Sequence, residues 1–192
     1  MADGTLKVGT ITTSSGSGTI TLGQSGETIS VPSGATFSAT SGTMSGQNYP
    51  AFEAYLSADQ TFTASTYVKT EFDTEIFDTD NCYDNTTNYR FTPTVAGKYF
   101  VYSGLLMAVA SDNITLANIV LRKNGTNIRL AELHPHTSGA VREVSLYASL
   151  IIDMNGTTDY LEVFGYAEIG GGSSRFESND RSCYFGAYRI GA

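Results

Sequence analysis

The chain has 192 residues and a formal net charge of −8, from 11 Lys and Arg against 19 Asp and Glu. An acidic surface repels phosphate backbones and anionic lipid headgroups, and no apolar run approaches the roughly 20 residues of a membrane-spanning helix. Composition therefore argues against nucleic acid as a partner and against membrane insertion. The 41% hydrophobic content is typical of a folded domain.

Aromatic residues divide the chain into two regions. Of 12 Tyr and 10 Phe, only Phe37 precedes Tyr49, and the first 48 residues are mostly Gly, Ser and Thr. We therefore predict two domains, a stem or virion-attachment segment at 1–48 and a head at 49–192. The N-terminus lacks the charged start and apolar stretch of a signal peptide, so we expect synthesis in a cytoplasm.

The stem contains a short repeat. Its units centre on apolar residues that are 9, 9 and 8 positions apart and are separated by Gly- and Ser-rich turns: Ile11, Ile20, Ile29 and Phe37. Each unit is predicted to be a short β segment with one inward apolar residue. One such unit buries too little surface to be stable alone, so these four residues are expected to form a stem core between identical chains around an axis.

Two alternatives apply to the stem. A flexible Gly/Ser linker has a similar composition but does not need an apolar residue every eight or nine positions. The segment from Gly23 to Thr36 resembles the short β-repeats at the base of fibres on bacteriophage particles. That resemblance implies a fibre stem that attaches to other virion proteins.

The head has a period of two, which is typical of strands. Six stretches alternate: Ala51 to Leu56, Tyr99 to Leu106, Asn118 to Arg122, Val144 to Ile152, Tyr160 to Tyr166 and Cys183 to Ile190. Turn signals separate them, including Asn124-Gly125 and Asn155-Gly156. No long window has helical periodicity. The pattern predicts an all-β fold, an antiparallel jelly-roll sandwich of about eight to ten strands.

Ordered motifs in the head carry a family resemblance. They are Phe91-Thr92-Pro93-Thr94-Val95-Ala96-Gly97-Lys98-Tyr99-Phe100, then Val120-Leu121-Arg122-Lys123-Asn124-Gly125, and finally Ser182-Cys183-Tyr184-Phe185-Gly186-Ala187-Tyr188. In this order they resemble the globular head of the first complement component, a ten-strand jelly roll related to the tumour necrosis factor trimers. Thr92 stands where that family usually has a cysteine, and no collagen-like stalk precedes the head.

A homotrimer is also predicted on physical grounds. Two alternating strands carry large apolar or aromatic side chains on both faces: Tyr99, Phe100, Tyr102, Tyr184, Phe185 and Tyr188. One face can fill the sandwich, but the other would be an exposed aromatic patch on a monomer. We therefore expect these six residues to lie at a trimer interface around the axis of the stem.

Few other residues suggest a site. Asp78, Asp80 and Asp84 lie in an acidic loop whose oxygen ligands could hold calcium, and the alternative is a solvated turn with aspartate capping. Otherwise no cofactor is expected. Cys82 and Cys183 are either two reduced, packed thiols or one disulfide.

The sequence favours a non-enzymatic function, because it contains no nucleophile elbow, phosphate-binding loop or zinc-protease motif. We predict a trimeric virion fibre or spike of a bacteriophage, on the tail or the capsid, whose head binds a host surface glycan or protein or a neighbouring virion protein. The alternatives are a secreted, lectin-like module of the complement-head family and a glycan-cleaving spike. Loops 78–88, 108–115, 132–142 and 168–181 are the candidate contact surface.

Overall fold

Residues from Ala51 onward form antiparallel strands, as the period-two pattern predicts. The computed structural model describes residue 11 and residues 18–36, 49–110, 113–136, 141–170 and 173–191. Thirteen strands lie within these ranges: β1 (Ala51–Tyr55), β2 (Gln60–Phe62), β3 (Val68–Lys69), β4 (Thr74–Asp78), β5 (Tyr83–Asp84), β6 (Arg90–Phe91), β7 (Gly97–Val109), β8 (Ile114–Lys123), β9 (Thr126–Leu133), β10 (Glu143–Met154), β11 (Leu161–Ile169), β12 (Ser174–Phe176) and β13 (Tyr184–Gly191).

The strands form two sheets. In the seven-stranded sheet, β4, β1, β13 and β7 are neighbours in that order. β12 pairs with the last residues of β7 and with β2. β10 pairs with β7 along nearly its whole length. In the six-stranded sheet the order is β5, β6, β11, β8 and β9, and β3 pairs with β11. The fold is therefore an antiparallel jelly-roll sandwich, and this prediction is confirmed.

The core between the sheets is aromatic at one end. Phe52 of β1 stacks on Tyr83 and Phe91, with ring centroids 4.6 and 4.5 Å apart, and meets Phe185 edge-on at 4.9 Å. All four side chains are buried. Because these residues come from β1, β5, β6 and β13, the cluster joins the two sheets.

Turn signals have two different outcomes in the head. Asn124-Gly125 closes the β8–β9 hairpin, with positive φ at both residues, as predicted. Asn155-Gly156 instead joins β10 to β11, which lie in different sheets. A 3₁₀ turn at Asn179–Arg181 precedes β13. Within the described ranges, no helix is long and apolar enough to cross a membrane.

The chain divides into two compact units, residues 1–44 and 45–192. In the first unit, two β-turns repeat: the Glu27 amide donates to the Gln24 carbonyl and the Ala35 amide to the Pro32 carbonyl, each at 3.0 Å. Both turns have a glycine of positive φ at their third position. These turns agree with the predicted repeat, but residues 18–36 contain no strand. The β segments predicted there are expected to be stable only against neighbouring repeats or identical chains, so they stay a prediction.

Candidate functional site

The outer face of the seven-stranded sheet carries a continuous group of aromatic side chains. We call it the aromatic face, and it consists of Phe100, Tyr102, Tyr147, Tyr184 and Tyr188. Side chains of a strand alternate between faces, so β7 contributes two residues that are two positions apart and β13 two that are four positions apart, while β10 contributes Tyr147. The rings of Phe100 and Tyr188 lie 5.5 Å apart, and those of Tyr102 and Tyr184 lie 6.2 Å apart.

Two glycines allow the tyrosines to lie flat on the sheet. A Cβ atom on Gly186 would lie 2.4 Å from Cζ of Tyr102, and one on Gly104 would lie 2.7 Å from Cε1 of Tyr184. No side chain could occupy either position without moving a ring. The cross-strand registers pair Tyr102 with Gly186 and Tyr184 with Gly104, so ring and glycine are direct neighbours.

The aromatic face is partly open to solvent. Tyr147 and Ile151, both on β10, are 63% and 61% exposed, while Phe100, Tyr102 and Tyr184 are half-buried. A depression of about 280 Å³ lies between Phe100, Tyr102, Tyr147 and Tyr184. An apolar surface of this kind is typical of an interaction site.

One carboxylate lies among these rings. The Tyr102 hydroxyl donates a hydrogen bond to Oε2 of Glu53, on β1, at 2.6 Å. Burial raises the pKa of the Tyr102 phenol, and the bond to Glu53 raises this pKa further. The Tyr102 phenol is therefore neutral near neutral pH, and the Glu53 carboxyl group lies beside uncharged rings.

The structure corrects part of the predicted trimer interface. Phe100, Tyr102, Tyr184 and Tyr188 lie on the outer face, as an interface requires. Tyr99 and Phe185 are fully buried in the sandwich core, so their assignment to the interface is wrong. The reason is alternation: Tyr99 and Phe100 are consecutive, as are Tyr184 and Phe185, so the members of each pair point to opposite faces.

Sequence reasoning missed Glu53, Tyr147 and Ile151. The alternation of Tyr147, Ser149 and Ile151 along β10 was a usable signal, because it places all three on one face. Glu53 had no comparable signal, since only the pairing of β1 with β13 brings it beside the tyrosines.

The stem core is described in part. Ile11, Ile20 and Ile29 are 55%, 42% and 60% exposed, and Leu22 and Val31 are exposed as well. Phe37 lies outside the described residues. Contact of these side chains with identical chains stays a prediction.

The structure does not bring the three predicted calcium ligands together. Asp78 accepts the Tyr83 amide at 2.7 Å, and Asp84 accepts the amides of Thr86 and Thr87 at 3.1 and 2.9 Å. These amides and the Asn88 side chain hold the pKa of Asp84 well below its usual range. Among the described residues no three metal-binding side chains cluster. Calcium binding at Asp78, Asp80 and Asp84 stays a prediction without support from this geometry.

The two cysteines are free and buried. Burial raises the pKa of the Cys183 thiol to about 11, so this thiol is protonated near neutral pH. The Cys82 thiol has its pKa raised by the same cause. Of the two possibilities left open by the sequence, the structure has the packed thiols.

Comparison with solved structures shows where this fold occurs. The Eiger tumour necrosis factor of S. frugiperda matches with a TM-score of 0.51 and 10% identity, over 73% of this chain and 91% of its own. Murine APRIL at pH 8.5 matches with a TM-score of 0.53 and 9% identity, over 73% of this chain and 98% of its own. No protein-family model and no curated protein matches this chain.

Identities this low show the fold alone. The head has a jelly roll like those of tumour necrosis factor proteins, which confirms that part of the predicted resemblance. Membership of the complement-head family stays a prediction.

Proposed function

We propose that this chain is a non-enzymatic adhesion protein, a homotrimeric fibre or spike of a bacteriophage particle. Residues 1–48 form the stem and attach to other virion proteins. The head, residues 49–192, binds a glycan or protein of the host surface. The protein is made in the host cytoplasm and its final location is the virion.

The aromatic face is the observation that carries this proposal. Five aromatic side chains and Ile151 form one outward surface on a single protomer, with Tyr147 63% exposed. Large apolar patches on soluble proteins are generally interaction sites. In a closed ring of three copies, each aromatic face is covered by a neighbouring copy and no other protein is needed. Threefold symmetry of this kind suits an appendage with a single axis.

The stem supports the same assembly. Its two turns are nearly identical, and the apolar pairs Ile20 and Leu22, and Ile29 and Val31, recur nine residues apart. All four side chains are exposed on the single chain. Parallel packing of three such segments buries them together, as in other thin repeats that are stable only when stacked.

The host-binding surface belongs to the loops of the head, since sandwich loops commonly carry recognition. The loop at 78–88 is rigidly built, because Asp78 and Asp84 bind its own backbone amides. A glycan or protein is the partner favoured by an acidic surface rich in tyrosine, which offers both apolar and hydrogen-bonding contacts.

The first experiment tests the aromatic face by substitution. Tyr147→Ser removes an exposed ring that makes no hydrogen bond with the described residues of its protomer. The fold should therefore persist, while trimers dissociate at concentrations at least about tenfold higher than for the wild type. Sedimentation velocity over a dilution series measures this. Tyr67→Ser, outside the aromatic face, is the control and should leave the mass distribution unchanged. An unaffected Tyr147→Ser trimer would contradict this role.

The second experiment tests the location. Gold-labelled antibody against the head should decorate purified particles of the phage that encodes the chain, at the ends of appendages. Purified head should also compete with these particles for host cells. Unlabelled particles would refute the virion assignment, and release of reducing sugar from host polysaccharide would favour the glycan-cleaving alternative.

A further inference from the structure

We propose that Arg129 of one protomer pairs with Glu53 of the next, so that the β9 edge of each head covers the aromatic face of its neighbour. The inference rests on the proposed trimer and names its complementary surface. Two observations carry it: within the described residues, one carboxylate has no cation beside it and one arginine has no anion beside it.

Glu53 is only partly satisfied within its own protomer. The carboxylate is half-buried, Oε2 accepts the Tyr102 hydroxyl, and no other side chain or backbone group in the described ranges binds it. Its neighbours in the cross-strand row are Phe77, Gly186, Tyr102 and Ser149, none of them basic. A second copy that covers this face excludes water from the free Oε1. Burying an unpaired charge is strongly unfavourable, so the covering surface must supply a cation.

The cations of the head are few and mostly engaged. From residue 49 onward the chain has ten Lys and Arg, all within the described ranges. Four form ion pairs with carboxylates of the same protomer: Lys69, Lys98, Lys123 and Arg175. Three stack on aromatic rings: Arg90, Arg122 and Arg181. Arg189 donates to the Ala96 carbonyl at 3.1 Å.

Only Arg129 and Arg142 remain, and both are exposed. The strand registers give the position of each arginine along the strand direction, which we call its height. Glu53 lies in one cross-strand row with Ser149 of β10, and heights are given relative to that row. At one end of the sandwich, Lys123 donates to the Asp153 carbonyl at 2.7 Å. Arg129 faces Leu121, two residues from Lys123. Its height is therefore near that of Ile151, roughly 7 Å along the strand from the Glu53 row.

Arg142 lies at the other end of the sandwich. Its carbonyl accepts the Val109 amide, at the last residue of β7. Seven residues of β10 separate it from the Ser149 row, or roughly 23 Å. Rotation about an axis parallel to the strands preserves height, so the long side chain of Arg129 can span the difference of roughly 7 Å to the Glu53 of a neighbour, whereas Arg142, roughly 23 Å away, cannot.

Arg129 is also on a surface suited to this contact. In a threefold ring each interface is heterologous, which means that it joins two different surface patches. The aromatic face of one protomer therefore meets another surface of its neighbour. β9 is the outer strand of the six-stranded sheet and pairs only with β8. On the same face of β9 as Arg129, four residues along the strand, Leu133 is 42% exposed. This leucine offers an apolar contact to the tyrosines, while the guanidinium reaches the carboxylate.

A charge-swap cycle on the full chain tests the pair. Glu53→Arg and Arg129→Glu should each raise the concentration at which trimers dissociate by about tenfold or more, through loss of attraction and new repulsion. The combined Glu53→Arg, Arg129→Glu variant should return close to wild type. Arg142→Glu makes the same charge change on the other free arginine and should leave dissociation unchanged. Sedimentation velocity gives the mass, and circular dichroism checks the fold.

Neutral variants keep the test decisive if a charge reversal fails to fold. Glu53→Gln can still accept the Tyr102 hydrogen bond, and the doubly neutral Glu53→Gln, Arg129→Gln should be no weaker than either single variant. If the wild type is a trimer but the losses of trimer stability add up in both cycles, the pairing is overturned and the trimer stands. The same holds if Arg142→Glu weakens the trimer and Arg129→Glu does not. A wild-type chain that stays single overturns both.

Discussion

Single polar residues hold the loops of the head in place through backbone hydrogen bonds. Asp84 accepts the amides of Thr86 and Thr87 and the side-chain amide of Asn88. These donors favour the charged carboxylate, and they depress its pKa in the folded protein. A residue of this kind makes folding depend on pH.

The sign of that dependence follows from linkage. Because the folded-state pKa lies below the ordinary value of 3.8, the stability from Asp84 is fully present above that value and is lost as pH falls through the folded-state pKa. We expect wild type to lose more stability than Asp84→Asn between about pH 5 and about pH 2. Urea unfolding at several pH values measures this. Asp80→Asn is the matched control, since the side-chain carboxylate of Asp80 accepts no hydrogen bond from the described residues, and it should follow wild type. Parallel curves for wild type and Asp84→Asn would contradict the account.

The sequence does not decide which of two consecutive aromatic residues points into the core. Tyr99 and Phe100 are similar in size, and both faces of β7 are largely apolar, so the pattern identified the strand but not its inward face. Packing decides it: the Tyr99 ring meets Phe91 edge-on at 5.7 Å, and its hydroxyl donates to the Val95 carbonyl at 2.7 Å. The pairing of Glu53 with Tyr102 spans 49 residues and has no local signal.

Among the elements, visible alternation decided what could be predicted. Strands β1, β7, β8, β10, β11 and β13 alternate, and the sequence identified each of them. Strand β9 is as long as β13 but has no regular alternation, and the sequence missed it. Strands of two or three residues, such as β3, β5 and β6, are too short to show a period. They depend on a partner for their conformation, which only the folded sandwich provides.

The first strand joins both sheets through one side chain. Phe52 is fully buried and contacts the rings of Tyr83, Phe91 and Phe185. Phe52→Ala leaves a cavity among these rings and should lower the free energy of unfolding by about 3–5 kcal/mol. Tyr49→Ala, where the ring is 45% exposed, should change it by less than about 1 kcal/mol. Denaturant unfolding measures both, and equal losses would show that this cluster is not the core assigned here.

At the scale of the whole molecule, a single protomer leaves several of the described apolar and charged side chains without partners. The core is closed, yet a second set of tyrosines faces outward and the apolar side chains described in the stem are exposed. Within the described part of the chain, Glu53 and Arg129 have no charge partner. In the proposed trimer, identical copies around one axis satisfy all of these together. Composition and patterning predicted the two regions and the sandwich, but a trimer is a property of surfaces that no single chain's sequence displays in full.

The mass of the purified full-length chain in solution tests this claim most directly. Sedimentation velocity and native mass spectrometry over a wide range of concentrations should give three times the mass of one chain, with a single chain only at high dilution. A species that keeps the mass of one chain at the highest concentrations would show that the aromatic face stays open to solvent. The account of a trimeric fibre would then be wrong, and only the sandwich fold would remain.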